Sequence, residues 1–233
     1  MSSNRNWLFA TAIAVAAAAA THAVAATEVH IDSLGYYNTA KIEITGPGLY
    51  KNADANAQKI VANFGLGPSA DTFTVWGFCI DIFTTLQSGY FTQLPVDLQY
   101  HIGDLTDDGD GNALSASQVQ QIYGLAALGT GLINGGAADL QNKLSGIQGA
   151  IWTIEYPTLS FDGNTDALDA YIAGYVAQAP SLTGSAYALL SDDGSTQDFV
   201  IGVPEPATWA MMILGFGLIG LTLRSQRRPA PTA

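Results

Sequence analysis

Cys79 is the only cysteine in a chain of 233 residues. A lone thiol is buried, paired between chains, or used chemically. As a small hydrophobe it suits a core; as a thiolate it is a nucleophile. It sits in Phe78-Cys79-Ile80-Asp81, within a run of β-branched and aromatic residues. Gln148 lies four positions after Leu144 and three before Ile151, so it projects from the apolar stripe of a helix. An amide there is costly unless satisfied. If folding sets the two opposite each other, the sulfur can attack the carboxamide carbon and expel ammonia, because holding reactants together supplies the rate. Plain burial of Cys79 and packing of Gln148 and Trp152 stay open beside this reading.

Other constellations are weaker. Cys79 with His101 is the residue pair of a cysteine hydrolase, but no neighbouring signature accompanies it and His101 is expected on a polar loop. The acidic run at residues 104–112 invites a calcium reading. In an EF-hand register from Asp108, however, Ala113 and Val119 fall where glycine and glutamate are required. An acidic turn is expected, and no metal or other cofactor is assigned. Ser160 lacks the glycine pattern of a nucleophile elbow.

The elements that must position these groups are read from periodicity. Loose alternation over residues 29–50, with Gly46-Pro47-Gly48 as a turn, predicts hairpin material. Residues 72–85 read as a buried strand. Residues 187–190 and 198–201, joined through Asp192-Asp193-Gly194-Ser195, read as a closing hairpin. Between these lie helices. Ser115 and Gln118 fit a capping box before an apolar face of Val119, Ile122, Tyr123, Leu125, Ala126 and Leu128. A second helix is expected over 137–156, stopped by Pro157, and a third over 166–178. Strands, then helices, then strands suggest an α+β fold, a β-sandwich or barrel with an inserted helical part.

Composition sets the compartment. Only 12% of residues are charged, about half the usual share, and the chain carries a net −12. Without a basic stripe it is not a nucleic-acid binder. Four lysines and nineteen acids between Thr27 and Val203 give that stretch −15, while the arginines lie at the two ends. Residues 1–26, with Arg5, an alanine-rich apolar run and small residues at 21–26, read as a secretory signal peptide. Residues 27–202 then form the extracytoplasmic domain. Residues 203–228 carry Pro204-Glu205-Pro206, Trp209, an apolar helix through Gly215-Phe216-Gly217, and Arg224, Arg227 and Arg228. The basic end is expected to stay cytoplasmic, and the apolar run is at the short limit for spanning a bilayer.

Two resemblances rest on these residues. The order Pro-Glu-Pro, Trp209, Gly-Phe-Gly, arginine cluster resembles the PEP-CTERM sorting signal of Gram-negative bacteria. That implies an exosortase as processing partner after signal peptidase, a membrane-held intermediate, and delivery to the outer surface or an exopolysaccharide (biofilm) matrix. The stretch from Val75 to Val176 resembles the bacterial thioester domains, surface adhesin modules with an internal Cys–Gln link. Phe78-Cys79-Ile80 and Ile147-Gln148-Gly149-Ala150-Ile151-Trp152 carry the likeness, although family members usually read Thr-Gln where this chain has Ile147-Gln148. The resemblance implies a Cys79–Gln148 thioester that captures an amine on an unidentified target, and nearby Trp76, Phe78, Ile151, Trp152 and Tyr156 are expected to shield it from water. Such a bond reacts once, so the protein is not expected to be an enzyme. The alternative is a non-reactive structural or interaction protein of the matrix with a buried cysteine.

Overall fold

The computed structural model describes residues 28–36, 40–64, 73–84, 98–106, 113–192, 194 and 196–203. The expected signal peptide, the Pro-Glu-Pro signal with its apolar helix and arginines, and residues 107–112 of the acidic run lie outside the described residues. Among the described residues, no helix is long and apolar enough to cross a membrane.

Among the described residues, nine strands and three α-helices follow in the order β1 (Glu28–Tyr36), β2 (Ala40–Gly46), β3 (Leu49–Ala55), β4 (Gln58–Phe64), β5 (Phe73–Cys79), β6 (Leu98–Gly103), α1 (Ala116–Asn134), α2 (Leu140–Glu155), β7 (Ser160–Gly163), α3 (Asp166–Gln178), β8 (Ser185–Ser191) and β9 (Phe199–Val203). Six strands close into an antiparallel barrel in the order β1-β4-β5-β9-β8-β6, and β3-β2-β7 make a second, three-stranded sheet. The mixed architecture and the barrel agree with the strand-helix-strand order of the sequence. Its first hairpin is β2–β3, turning at Gly48 with φ +77°, a conformation that glycine adopts at no steric cost. β1 instead pairs with β4 and β6.

Strand alternation sorts the barrel residues into two clusters. Ile60, Cys79, Tyr100, Leu189, Phe199 and Ile201 join one that extends to Trp152 and the second sheet. Phe78, Ile80, Ala188, Leu190 and Val200 face the other way and are covered by α1 and α2. Successive strand side chains point to opposite faces, so Phe78 and Cys79 must part company.

The Ser115–Gln118 capping box is formed: the Ser115 hydroxyl accepts from the Gln118 N–H and the Gln118 side chain accepts from the Ser115 N–H. α1 then lies on the barrel through Val119, Ile122, Ala126 and Gly129, the three-and-four spacing of one helix face. α2 is buried nearly all round from Leu144 to Trp152, as a central helix requires. Gly146 admits Tyr171 of α3 on one side and Gly149 admits Ile172 and Ile42 on another. This helix brings Gln148 to the end of β5.

Candidate functional site

β5 ends at Cys79, where its two neighbours are unequal. On one side β9 continues the ladder, pairing Cys79 with Phe199, and the Ile80 N–H donates to the Asp198 carbonyl. The backbone groups of Cys79 itself face the other edge, where β4 has already stopped opposite Gly77. A buried N–H and C=O there need partners, and Gln148 supplies both. Its Oε1 accepts from the Cys79 N–H at 2.9 Å, and its Nε2 donates to the Cys79 carbonyl at 2.7 Å. The carboxamide thus takes the place of a missing strand residue.

The sulfur has a different partner. Cys79 Sγ–H donates to Oε1 of Gln197 at 2.9 Å. Gln197 lies just before β9, two positions from Phe199, so strand parity sends both side chains to the face that Cys79 occupies. Its Nε2 donates to the Asp81 carbonyl, and its own carbonyl accepts from the Tyr100 hydroxyl at 2.9 Å. Tyr100 is wholly buried beside Phe199, ring centroids 6.0 Å apart. The carboxamide is therefore held at oxygen, nitrogen and backbone, with its carbon one bond from the atom the sulfur touches.

The surroundings are dry and negative. Gln148 is 1% exposed, Cys79 5% and Gln197 9%. Burial first, then the charges of Asp81 and Glu155, push the Cys79 thiol far above its ordinary value, against a smaller opposing pull from Lys51. Desolvation penalises a thiolate and nearby carboxylates add to that, so the sulfur rests as a neutral thiol. Asp81 closes the strand: its Oδ1 accepts from the Phe83 N–H at 2.7 Å and its carboxylate also takes the Thr84 N–H.

Each residue singled out in the sequence has a place. Cys79 and Gln148 are brought together, but through backbone hydrogen bonds, and the carboxamide at the sulfur is that of Gln197. Trp152 shares the cluster of Cys79. Trp76, Phe78 and Ile151 pack in the other cluster, alternation along β5 turning Trp76 and Phe78 to the face opposite Cys79. The aromatic members of the cluster that holds Cys79 are Tyr100, Trp152, Tyr156, Phe161 and Phe199. His101 is half-exposed on β6, three strands round the barrel from β5, with its Nδ1 2.7 Å from Asp192. Among the described residues, no group of three or more His, Cys, Asp or Glu is arranged to hold a metal.

Comparison with known proteins adds the following. Residues 202–228 match the PEP-CTERM protein-sorting motif, which implies exosortase-dependent export to the cell surface through a membrane-anchored intermediate. A solved structure, the N-terminal thioester domain of a surface protein from Clostridium perfringens, is similar at 13% identity and a TM-score of 0.42, over 70% of this chain and 99% of that one. No curated protein matches the chain in sequence.

Proposed function

We propose that this exported protein attaches covalently to amine-bearing surface or matrix targets through an internal thioester between Cys79 and Gln197. The observation that carries this reading is the approach of Cys79 Sγ to the Gln197 carboxamide at 2.9 Å in a buried pocket. Bond formation joins the sulfur to Cδ of Gln197 and releases Nε2 as ammonia, the thiol proton leaving with it. A target amine then adds to Cδ, the C–S bond breaks, and a lasting amide remains with the thiol restored. Gln148 holds the Cys79 backbone while this happens and is not consumed. Each copy reacts once, so no turnover is involved. The pocket's negative charge attracts protonated lysine side chains, which attack as the neutral amine once a proton is lost to solvent.

Intact mass of freshly folded protein tests the reading. The expected result is a deficit of one ammonia, an adduct on Gln197 after methylamine treatment, and neither in Cys79→Ala or Gln197→Ala. A full-mass wild type whose denatured form titrates one thiol would instead support a matrix protein with a buried cysteine. An adduct on Gln148 would return the linkage to the residue expected from sequence.

A further inference from the structure

The Gln197 carboxamide makes two side-chain hydrogen bonds with different fates. Its Oε1 accepts from the Cys79 thiol at 2.9 Å, and its Nε2 donates to the Asp81 carbonyl at 2.5 Å. That carbonyl stands on a pinned stretch of chain. One residue before it, the Ile80 N–H donates to the Asp198 carbonyl at 3.2 Å. One residue after it, the Ile82 carbonyl accepts from Lys51 Nζ at 2.6 Å. The Asp81 carboxylate holds the turn that follows, accepting from the Phe83 N–H at 2.7 Å and the Thr84 N–H at 3.0 Å. Asp81 is 4% exposed. Fixed on both sides and buried, its carbonyl cannot swing out to water when its donor goes, and a buried acceptor without a donor is costly.

Closing the thioester removes that donor, because Nε2 leaves as ammonia. An incoming amine nitrogen bonds to the same carbon, Cδ, and so arrives where Nε2 stood. Its lone pair forms the C–N bond, the C–S pair stays with sulfur, and one N–H proton is given up to solvent while sulfur takes one back. The proton count of the amine then decides what the carbonyl recovers. A primary amine brings two N–H bonds, of which one is lost and one stays on the amide. A secondary amine brings one, and that is the proton that has to go. We propose that this site captures primary amines and discriminates against secondary ones, because the amide left on Gln197 must still give an N–H to the Asp81 carbonyl. The inference rests on the thioester reading above and narrows its substrate class to groups such as a lysine side chain or the α-amine of a peptide, with N-alkylated lysine and N-terminal proline disfavoured. After capture the thiol again donates to the amide oxygen and the amide N–H to Asp81. The product thus keeps both bonds of the resting carboxamide and differs from it by one substituent on nitrogen.

The test uses the exported protein, its ammonia deficit verified by intact mass, and two isomeric nucleophiles, ethylamine and dimethylamine, which add the same mass. Capture rates are taken per concentration of neutral amine, and their ratio is referred to that of a small alkyl thioester in the same buffer. The protein should favour ethylamine beyond this reference by about 10- to 100-fold, the weight of one orphaned buried acceptor. Capture of ethylamine carrying an NMR-active nitrogen label should then give one labelled N–H. In the folded adduct it should exchange with heavy water far more slowly than in the urea-unfolded adduct. A rate ratio equal to the reference overturns the proposal while leaving the thioester intact. So does a preference for ethylamine with a freely exchanging N–H, which marks plain crowding at Cδ. A wild type with no ammonia deficit, or an adduct on another glutamine, removes the Cys79–Gln197 bond itself and this inference with it.

Discussion

Gln148 satisfies two buried backbone groups at once, and an apolar side chain of similar size satisfies neither. Gln148→Leu should therefore cost about 1–3 kcal/mol for each orphaned group of Cys79, read as a lowered urea midpoint; a stability equal to wild type would mean the clasp is not formed. The sulfur makes a separate prediction. In Gln197→Ala the thiol stays free, and burial with the flanking carboxylates disfavours its ionised form. Native Cys79 should then resist iodoacetamide at a pH where the urea-unfolded chain reacts readily, since the thiolate is the reactive species; equal rates would show an open, solvated sulfur. The sequence made Cys79 and a core-facing Gln148 legible because both follow from residue type and helix period. It could not separate backbone clasp from reacting amide, since that depends on which strand lies beside β5. Gln197 was hidden for the same reason: Thr196-Gln197-Asp198-Phe199 is an ordinary strand entry until Cys79 is known to pair with Phe199. With that register, parity alone brings Gln197 to the sulfur.

α1 reaches the barrel where the strands leave room for it. A Cβ on Gly202 of β9 would fall on the Ala126 carbonyl and within 2.7 Å of the Ala127 Cα, and Thr130 Oγ1 donates to the Gly202 carbonyl at 3.3 Å. Helix backbone cannot step aside as a side chain can. Gly202→Ala should destabilise by about 3 kcal/mol, the upper range for overpacking, and more than Gly129→Ala, whose obstacle is the Phe78 ring. Thermal melts of the two variants decide the order, and a milder Gly202→Ala would refute the close docking. Helix signals at this scale were strong in the sequence: the Ser115 cap, the stripe of α2 and the span of α3 all stand where periodicity set them. The strands β4, β6 and β7 were not legible. β4 mixes Gln58, Lys59 and Asn63 with its apolar residues, and β7 is four residues long. Their partners in the ladder, most of them distant in sequence, hold them in place, so local pattern carries little of the signal.

Across the whole molecule, a bond from Cys79 to Gln197 would join residues 118 positions apart, enclosing α1, α2, α3 and the strands between them in one covalent loop. The fold already brings the two atoms together, because β5 and β9 are hydrogen-bonded neighbours, so closing it distorts little and acts mainly on the unfolded chain. Chain entropy puts the stabilisation from cross-linking a loop of this length at about 5 kcal/mol, a large fraction of a domain's net stability. For a protein exported to the cell surface, the reactive bond would thus hold the domain together until a target is met. Capture then opens the loop. Methylamine-treated protein should therefore melt at lower temperature and lower urea than untreated protein, with Cys79→Ala lacking the closed-loop increment from the outset. The comparison is clean because methylamine leaves every other residue in place. Equal midpoints before and after a complete, mass-verified opening would show that no covalent loop had been there to lose.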